Sequence, residues 1–384
     1  MIEFPPIESV RGRRVVVGLS GGVDSAVAAL LLQDAGADVH ALHMTNWEDD
    51  DGYCTAAADL QDARKVCDAL EIPLHHVSFA REYRDEVFAH FLREYQAGRT
   101  PNPDVLCNRV IKFGAFRRYA KRLGADGLAT GHYAQIGSEG GRPVLCKAED
   151  AAKDQTYFLH AVTADALAET VFPLGALAKH HVRALARDHG LPVFDKKDST
   201  GICFIGERPF REFLARHLTA RPGPIRTPEG EVLGEHAGLP YYTIGQRQGL
   251  RVGGRAGKGE APWYVAAKDA ATNALIVVQG DHPLLYTDEL TAVDASWIGA
   301  EPDALVRGGQ LACHAKIRYR QPDQACRVRS TPDGLSVSFA EPQRAVTPGQ
   351  FVVFYDGERC LGGAVIASAG ADARAPAGAL RAAG

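Results

Sequence analysis

The sequence lacks several features that mark membrane, secreted and metal-binding proteins. Its 384 residues include no run of about 18 apolar residues, the length that a membrane-spanning helix needs. The first residues, MIEFPPIESVRGRR, lack the basic and apolar regions of a secretory signal. None of the eight cysteines forms a C-x-x-C pair, so their spacing indicates neither a zinc site nor an iron–sulfur cluster. We therefore expect a cytoplasmic protein with reduced thiols and no membrane contact.

An excess of either charge is also absent. The chain has 43 Lys and Arg against 47 Asp and Glu, a formal net charge of −4, so overall charge does not predict a nucleic-acid binder. Hydrophobic residues make up 46% and charged residues 23% of the chain, which is typical of a globular protein. The length suggests two or three domains.

A glycine-rich turn lies between a predicted strand and a predicted helix near the N-terminus. Residues 18–25, GLSGGVDS, follow three valines and precede the apolar run AVAALLLQ. Backbone N–H groups in such a turn, together with the positive end of the helix dipole, favour an anion, most often a phosphate. The turn lacks the lysine of a Walker loop and does not fit G-x-G-x-x-G. A different kind of phosphate loop and a plain strand-to-helix turn therefore remain as alternatives.

Residues 20–25 resemble the SGGxDS loop of the ATP pyrophosphatases, the PP-loop family, which cleave ATP between its α and β phosphates. Gly21 and Gly22 let the backbone approach a phosphate closely. Ser20 and Ser25 add hydroxyl donors. A carboxylate does not hold bare phosphate, so we expect Asp24 to hold Mg²⁺ that bridges phosphates.

Strand and helix patterns alternate over the first two hundred residues. RRVVVGL, DVHALHM, LHHVSF and DGLATGHY predict buried parallel strands with helices between them, which favours a doubly wound α/β domain. Ligands of such domains lie at the carboxyl ends of the strands. The loop 18–25, Met44 and Gly131 all fall at such ends.

The rest of the chain is rich in short strands and Gly/Pro turns. PWYVAAKDAATNALIVVQG predicts a hairpin, and five later stretches predict a small antiparallel barrel. The last residues are Ala/Gly-rich and predict a disordered tail. The predicted parts are a catalytic α/β domain, a mainly-β central domain, a C-terminal β-barrel and the tail, over residues 1–209, 210–287, 288–367 and 368–384.

Two cysteines lie beside basic residues. Cys107 follows the rigid polar turn PNPD, and Cys203 lies in an apolar trio after a Ser-Thr-Gly turn. A helix N-terminus and nearby cations would lower the pKa of such a thiol and make it reactive. A buried, inert cysteine is the alternative interpretation of both. The basic residues of the predicted helix after Cys107 are Arg109, Lys112, Arg117, Arg118, Lys121 and Arg122, with the apolar residues Phe113, Phe116, Ala120 and Leu123 on one face.

Long motifs over most of the chain resemble the bacterial tRNA-specific 2-thiouridylases, also called tRNA-uridine 2-sulfurtransferases. The similarity runs from about residue 13 to residue 366, and the motifs occur in the family's order. It implies a PP-loop domain of the adenine nucleotide alpha-hydrolase type, followed by a central domain and a barrel. The motifs are GLSGGVDS (18–25), NWEDDDGYCTAAAD (46–59), GRTPNPDVLCN (98–108), ATGHYA (129–134), KDQTYFL (153–159), KDSTGICFIGER (197–208), YYTIGQRQGL (241–250), KIRYRQ (316–321) and VTPGQFVVFY (346–355).

The resemblance implies a reaction in two stages. ATP adenylates the C2 oxygen of the wobble uridine in tRNA and releases pyrophosphate. Sulfur from a cysteine persulfide then displaces AMP, which leaves 2-thiouridine. The implied cofactors are ATP and Mg²⁺, with no metal site made by protein residues alone. The target base has to leave the stack, because C2 is inaccessible inside it.

The resemblance also implies the site residues. Cys203 matches the family's persulfide cysteine, and Cys107 matches its nucleophile. Asp104 is well placed in the sequence to act as a general acid or base on the target base. The matching ATP-binding residues are Gly18, Leu19, Ser20, Gly21, Gly22, Val23, Asp24, Ser25, Met44 and Gly131. The matching tRNA-binding residues are Asn102, Pro103 and Asp104 at the target base, and His132, Lys153, Asp154, Gln155, Arg318, Tyr319 and Gln350 elsewhere.

The resemblance is compatible with two routes for sulfur. Cys107 either attacks Cys203, releasing sulfide and forming a Cys107–Cys203 disulfide, or assists direct transfer of the persulfide sulfur. The implied partners are tRNAs for lysine, glutamate and glutamine, and a cysteine desulfurase or sulfur-relay protein as donor. We expect a monomer. The other six cysteines, Cys54, Cys67, Cys146, Cys313, Cys326 and Cys360, are expected to pack in cores.

Local charge agrees with RNA binding in one region. Residues 314–330 contain five basic residues against one acid, Asp323, with Tyr319 among them. A basic sheet edge that repels other strands would give the same composition.

Two other functions fit parts of the sequence. A PP-loop ligase that adds an amine would use the same loop but has no use for two cysteine motifs, and no amidotransferase domain is evident. A tRNA-binding protein without turnover would need neither an intact SGGVDS loop nor both cysteines.

Overall fold

The computed structural model describes residues 2–47, 56–198, 210–253 and 261–370. In this part of the chain, an α/β domain, a central β-domain and a β-barrel follow one another, as the sequence predicts. The strands of the α/β domain are β1 (Arg14–Gly18), β2 (Asp38–Thr45), β3 (Leu74–Ser78), β4 (Gly127–Thr130), β5 (Gln135–Glu139), β6 (Arg142–Cys146) and β7 (Thr170–Val171). Its helices are α1 (Val23–Asp34), α2 (Ala56–Leu70), α3 (Ala80–Glu82), α4 (Ala89–Gln96), α5 (Pro103–Leu106), α6 (Arg117–Arg122), α7 (Thr156–Leu159), α8 (Ala164–Ala168) and α9 (Lys179–Asp188), with π-helical turns at Tyr83–Phe88 and Cys107–Phe116.

Five parallel strands form the central sheet of the α/β domain, in the order β3-β2-β1-β4-β7. Successive side chains of β1 enter different cores: Val15 and Val17 pack with α1, and Val16 packs with Ile111 and Phe116 on the other face. Both faces of the sheet are covered, which explains why β1 is an uninterrupted apolar run. The prediction of a doubly wound domain is confirmed.

The helix predicted after Cys107 is present, but its geometry differs from the prediction. Residues Cys107–Phe116 form a π-helix, and regular α-helix begins only at Arg117. A Cβ at Gly114 would lie 3.2 Å from the carbonyl oxygen of Arg109, so glycine relieves crowding inside the wide turn. The sequence periodicity of 3.6 does not reveal a π-turn, because the apolar face that it predicts stays buried in either geometry.

The central domain contains a four-stranded sheet in the order β10-β11-β8-β9. Its strands pair antiparallel except for β8 and β11, which are parallel. The predicted hairpin is confirmed as β10 and β11. The elements are α10 (Phe210–Ala215), β8 (Gly223–Arg226), β9 (Val232–His236), a 3-10 turn at Leu239–Tyr241, β10 (Trp263–Asp269) and β11 (Ala274–Gln279).

Six antiparallel strands close into the C-terminal barrel, as predicted, because β12 pairs with both β15 and β17. The hairpin β5–β6, which was not predicted from the sequence, joins the α/β domain to the barrel by pairing β6 with β17. The barrel elements are β12 (Tyr286–Trp297), α11 (Asp303–Val306), β13 (Gln310–Lys316), β14 (Gln324–Thr331), β15 (Gly334–Arg344), β16 (Phe351–Asp356) and β17 (Arg359–Ala369).

The closed barrel rules out one alternative interpretation of the sequence, that of a basic sheet edge. The basic strand β14, with Arg327 and Arg329, is paired on both sides by β13 and β15, so it is not a sheet edge. Arg318 and Tyr319 lie in the turn after β13. Residues 371–384 of the predicted disordered tail lie outside the described part of the chain. Among the helices described, none is both long and apolar enough to cross a membrane.

Candidate active site

The loop 18–25 connects β1 to α1 at the carboxyl edge of the sheet. Gly21 has a positive φ of 78°, and a Cβ there would collide with the carbonyl oxygen of Asp59, so this position requires glycine. Ser25 Oγ donates to the Gly22 carbonyl at 3.1 Å and accepts from the Ser20 amide at 3.1 Å. The loop is therefore held in shape by its own hydroxyl before any ligand binds.

Met44 and Gly131 lie on the two sides of this loop. Met44 is on β2 and Gly131 follows β4, and both strands pair with β1. A Cβ at Gly131 would lie 2.8 Å from the backbone of Asp24 and Ser25, so glycine allows the chain to pack against the loop. The predicted ATP-binding residues thus lie together at the carboxyl edge of the sheet, where β2 lies on one side of β1 and β4 on the other. Such a change in strand order is the usual ligand position in these sheets.

Lysines from distant parts of the sequence supply the cations that the loop itself lacks. Lys179, at the start of α9, lies 2.6 and 2.7 Å from the two carboxylate oxygens of Asp24. The Tyr133 hydroxyl also donates to Asp24, at 2.8 Å. Lys196 Nζ donates to the Gly21 carbonyl at 3.0 Å. The sequence does not reveal these roles, because only the tertiary fold brings these residues to the loop.

Carboxylates of two other segments balance these lysines. Lys196 pairs with Asp59 and Asp62 of α2, each at 2.8 Å. Asp198 pairs with Lys153, Lys179 and Arg183 at 2.7 to 2.9 Å. Partial burial acts to raise the pKa of Asp198, but its bonds to the two lysines lower that pKa to about 2. The loop therefore lies in an ionic network of alternating sign.

Asn102, Pro103 and Asp104 form the start of α5. Asn102 caps this helix by accepting from the Asp104 amide at 3.2 Å, and Pro103 occupies its first turn. Burial raises the pKa of the Asp104 carboxyl, against the opposing charge of Lys112. Cys107 lies one turn further on, where the π-helix begins, and is only 1% exposed.

All three domains hold the segment before Asn102. The Thr100 amide donates to the Pro348 carbonyl at 2.9 Å, and the Gln350 amide donates to the Thr100 carbonyl at 2.8 Å, both across to the barrel. From the central domain, Lys268 donates to the Gly98 carbonyl at 3.0 Å. Burial lowers the pKa of Lys268 to about 8.

His132 links the loop region to the segment of Asp104. Its Nδ1 lies 2.7 Å from the Thr130 hydroxyl, and its Nε2 lies 3.4 Å from Lys112 Nζ. Burial and the charge of Lys112 hold the pKa of His132 well below its usual range, so the ring is neutral at pH 7. A neutral, 9% exposed ring cannot attract a phosphate by charge, so the predicted tRNA contact of His132 would be a hydrogen bond or a stacking contact.

The predicted tRNA-binding residues 153–155 lie next to the barrel. Gln155 accepts from the Tyr133 amide at 2.9 Å, and Lys153 belongs to the ionic network of Asp198. Asp154 is 5% exposed and accepts from Ala148 and Thr156, with Lys316 of the barrel 3.7 Å away. Burial and this bonding give Asp154 a structural role, which is an alternative to the predicted direct contact with tRNA.

The barrel contributes the remaining predicted tRNA-binding residues. Tyr319 lies against Phe158, with ring centroids 4.5 Å apart, and the exposed Arg318 donates to the Arg344 carbonyl at 3.3 Å. Tyr157 anchors the two domains by donating to the Phe351 carbonyl at 3.0 Å. The motifs around 153–159, 316–321 and 346–355 thus form one interface.

Cys203 and Cys54 lie outside the described residues. The other thiols of the described part are buried, as expected for core packing: Cys67, Cys146, Cys313, Cys326 and Cys360, together with Cys107. The distance between Cys107 and Cys203 therefore stays a prediction.

Comparison with known proteins gives matches along nearly the whole chain. Residues 13–207 match a family model described as a tRNA methyl transferase HUP domain, residues 211–279 its PRC-barrel domain, and residues 287–366 an aminomethyltransferase beta-barrel domain. The chain is 58% identical over 367 residues to the tRNA-specific 2-thiouridylase MnmA of Dichelobacter nodosus, covering 94% of this chain and 96% of that protein. It is 59% identical to the protein of the same name from Methylococcus capsulatus, covering 94% and 99%, and 57% identical to that of Hahella chejuensis, covering 93% and 98%.

Proposed function

Since the chain belongs to the family of tRNA-specific 2-thiouridylases, we propose that it converts the wobble uridine of tRNA to 2-thiouridine. ATP transfers AMP to the C2 oxygen, which turns a poor leaving group into a good one, and pyrophosphate departs. Sulfur from a protein persulfide then forms the bond to C2 while the C2–O bond breaks and AMP leaves with that oxygen. The substrates are tRNAs for lysine, glutamate and glutamine, and the enzyme acts in the cytoplasm as a monomer.

One observation supports this proposal above all: a short series of contacts joins the loop 18–25 to the segment of Asp104. Gly131 packs against the loop, and its neighbour His132 lies 3.4 Å from Lys112, which is on the π-helix Cys107–Phe116 that directly follows α5. An ATP α-phosphate at the loop and a base at residues 102–104 would therefore lie within reach of each other. In-line transfer of AMP needs that proximity.

ATP binds with its phosphates at the loop 18–25 in this proposal. The N-terminus of α1, the hydroxyls of Ser20 and Ser25, Lys179 and Lys196 stabilise the charge that develops on departing pyrophosphate. Met44 and Gly131 border the nucleoside.

The residues of the loop would hold Mg²⁺ only together with the phosphates of ATP. Asp24 is the loop's one carboxylate, and both of its oxygens contact Lys179. Mg²⁺ is commonly held by one or two carboxylates together with substrate phosphates. Asp24 would hold the ion after Lys179 has moved from the carboxylate to a phosphate, and the ion would neutralise phosphate charge.

Asp104 carries the N3 proton of the uridine in the proposed chemistry: it takes this proton as the C2 oxygen attacks the α-phosphate and returns it to N3 after AMP has left. Its raised pKa brings the carboxyl closer to neutral pH, which suits a group that gives or takes a proton at the base. Asn102 and Pro103 fix the turn that presents it. His132, Lys153, Gln155, Arg318, Tyr319 and Gln350 contact the surrounding tRNA in this proposal.

Sulfur enters at Cys203 as a persulfide loaded by a cysteine desulfurase or a relay protein. In one route Cys107 attacks the inner sulfur of Cys203, a Cys107–Cys203 disulfide forms, and the released sulfide attacks C2. In the other route the terminal persulfide sulfur attacks C2 first and Cys107 then cleaves the S–S bond. Both routes end with the same disulfide, which a thiol reductant has to reduce.

An oxygen-isotope experiment tests the adenylation step. The protein is given ATP, a persulfide donor and tRNA with ¹⁸O at C2 of the wobble uridine, and AMP is examined by mass spectrometry. We expect one ¹⁸O in each AMP and none in pyrophosphate, since the C2–O bond breaks. A matched tRNA labelled at C4 should give unlabelled AMP. Unlabelled AMP from the C2-labelled tRNA would contradict the proposal and favour a ligase that activates another acceptor.

A further inference from the structure

A cleft of the central domain lies outside the residues assigned above. Its volume is about 400 Å³, which is within the usual range of small-molecule sites. It lies where α10 meets the 3-10 turn Leu239–Tyr241 and the loop after it. The lining residues are Phe210, Arg211, Pro240, Tyr241, Tyr242, Thr243, Gln246, Gln248 and Gly249.

The wall of the cleft combines an aromatic ring with a planar cation. The guanidinium carbon of Arg211 lies 5.5 Å from the ring centroid of Tyr241. Tyr241 is half-buried, because its ring also packs on the cores of two domains, so its position is fixed. Among the described residues Arg211 forms no ion pair, and no acid lines the cleft. A flat, electron-rich group could stack here.

Hydrogen-bonding groups also line the cleft. The side-chain amide of Gln246 is used to shape the turn, since it accepts from the Thr243 amide at 2.9 Å and donates to the Gln248 carbonyl at 2.8 Å. The exposed amide of Gln248 has no such bond in the part of the chain described. It offers one acceptor and two donors to a ligand.

The cleft adjoins the segment that holds Asn102 and Asp104. The hydroxyls of Thr243 and Thr100 lie 3.4 Å apart, and Thr100 is two residues before Asn102. The surrounding sequence is basic: residues 241–253 include Arg247 and Arg251, both exposed, and no acid. A polyanion that reaches residues 102–104 would therefore meet a positive potential beside the cleft.

We propose that this cleft binds the base of a nucleotide that neighbours the target uridine in the anticodon loop. The base stacks on Tyr241 and Arg211, and Gln248 hydrogen-bonds to its edge. Single-stranded RNA bases are commonly bound in this way, on aromatic rings and guanidinium planes. This inference rests on the proposed function and extends it. The second base would hold the loop open while the uridine reaches residues 102–104.

Binding of an anticodon stem-loop tests the proposal. Kd is measured for the intact RNA and for RNAs in which either neighbour of the target uridine is abasic. For the wild-type protein, one abasic site should weaken binding roughly tenfold, in line with the usual contribution of a stacked base. For Arg211→Ala and Gln248→Ala, intact RNA should bind more weakly, and the same abasic site should cost clearly less than it costs the wild type.

A matched variant separates the cleft from a general effect of charge. Arg307→Ala removes an exposed arginine of the barrel, outside the cleft, and should retain the full abasic penalty. An equal abasic penalty in the wild type and both cleft variants would overturn the proposal. So would normal RNA binding by the cleft variants with slower sulfur loading of Cys203, which would assign the cleft to the sulfur donor. Thiolation of intact tRNA by the wild type is followed in parallel, so that failure of the proposed function is seen separately from failure of the cleft.

Discussion

Single residues from distant positions complete the surroundings of the loop 18–25. The loop has no lysine, and the fold supplies Lys179 and Lys196 from positions more than 150 residues later in the chain. The residue types of the loop predict a phosphate site, and this stays a prediction. The sequence did not reveal its cations, because a lysine that reaches a loop through tertiary packing has no fixed spacing from it.

Replacing Lys196 tests this view of the loop. Lys196→Ala removes the bond to the Gly21 carbonyl and leaves Asp59 and Asp62 without their shared cation, so KM for ATP should rise roughly 10- to 100-fold, as for loss of a charge-assisted hydrogen bond. Lys65→Ala is the control, because Lys65 pairs with Asp62 at 3.1 Å but makes no described bond to the loop. Equal ATP kinetics in the two variants would show that Lys196 has no role at the loop.

Asp104 is expected to lower the stability of the fold at pH 7 and to be required for thiolation. Its raised pKa means that the fold favours the protonated carboxyl, so its stabilising contribution is complete below the unfolded pKa and is lost as pH rises through the folded pKa. Asp104→Asn should therefore raise Tm at pH 7, and this gain should disappear near pH 3. Thiolation should fall about 10² to 10⁴-fold, the usual effect of losing a general acid or base. A variant that is active, or less stable at pH 7 than at pH 3 relative to wild type, would contradict this role.

At the scale of elements, the segment 98–104 depends on contacts from three domains.

The strand–loop–helix unit around residues 18–25 is local and was predictable from composition and order. The π-helix at Cys107–Phe116 and the pairing of β6 with β17 were not. The π-helix leaves the buried face of the helix unchanged, and the pairing of β6 with β17 joins residues more than 200 positions apart. The Gly140–Gly141 turn was the one local signal for the β5–β6 hairpin.

Gly349 offers a direct test of how the barrel positions this segment. A Cβ at Gly349 would lie 2.9 Å from Arg99 Cβ and from the Thr100 amide, so Gly349→Ala should displace residues 99–104. Misplacement of about 1 Å can cost roughly 100-fold in rate, and we expect a fall in kcat for thiolation of 10- to 100-fold. The matched control is Gly357→Ala, which also has a positive φ but no atom within 4 Å of the added Cβ. If both variants lose activity equally, backbone strain and not displacement is the cause.

At the scale of the whole molecule, the α/β domain and the barrel act as one structural unit. His160 of the α/β domain lies against Phe351 of the barrel, with ring centroids 4.9 Å apart, and a Cβ at Gly363 would lie 2.6 Å from the His160 ring. The three predicted domains were recognisable from the change in pattern along the chain. Their contacts were not, since they depend on residues that have no common sequence signal.

Buried His160 makes this interface sensitive to acid. Burial lowers its pKa to about 4, although its bond to the Tyr157 carbonyl acts the other way. Because the folded pKa lies below the unfolded value of 6.5, stability from the neutral ring is complete above pH 6.5 and is lost as pH falls towards 4, by up to about 3 kcal/mol. His160→Gln should have a flatter pH profile of unfolding free energy over this window. Parallel profiles for wild type and variant would refute the assignment.

Nucleoside mass spectrometry detects the proposed reaction itself, the replacement of the C2 oxygen of uridine in tRNA by sulfur through the loop 18–25 and two cysteines. Purified protein is incubated with unmodified tRNA, ATP, Mg²⁺ and a persulfide donor, and the digested tRNA is examined for 2-thiouridine. We predict sulfur-for-oxygen exchange that requires ATP and is lost in Cys203→Ser and in Cys107→Ser. AMP formation without thiolated nucleoside, in the presence of a donor that loads Cys203, would contradict the claim.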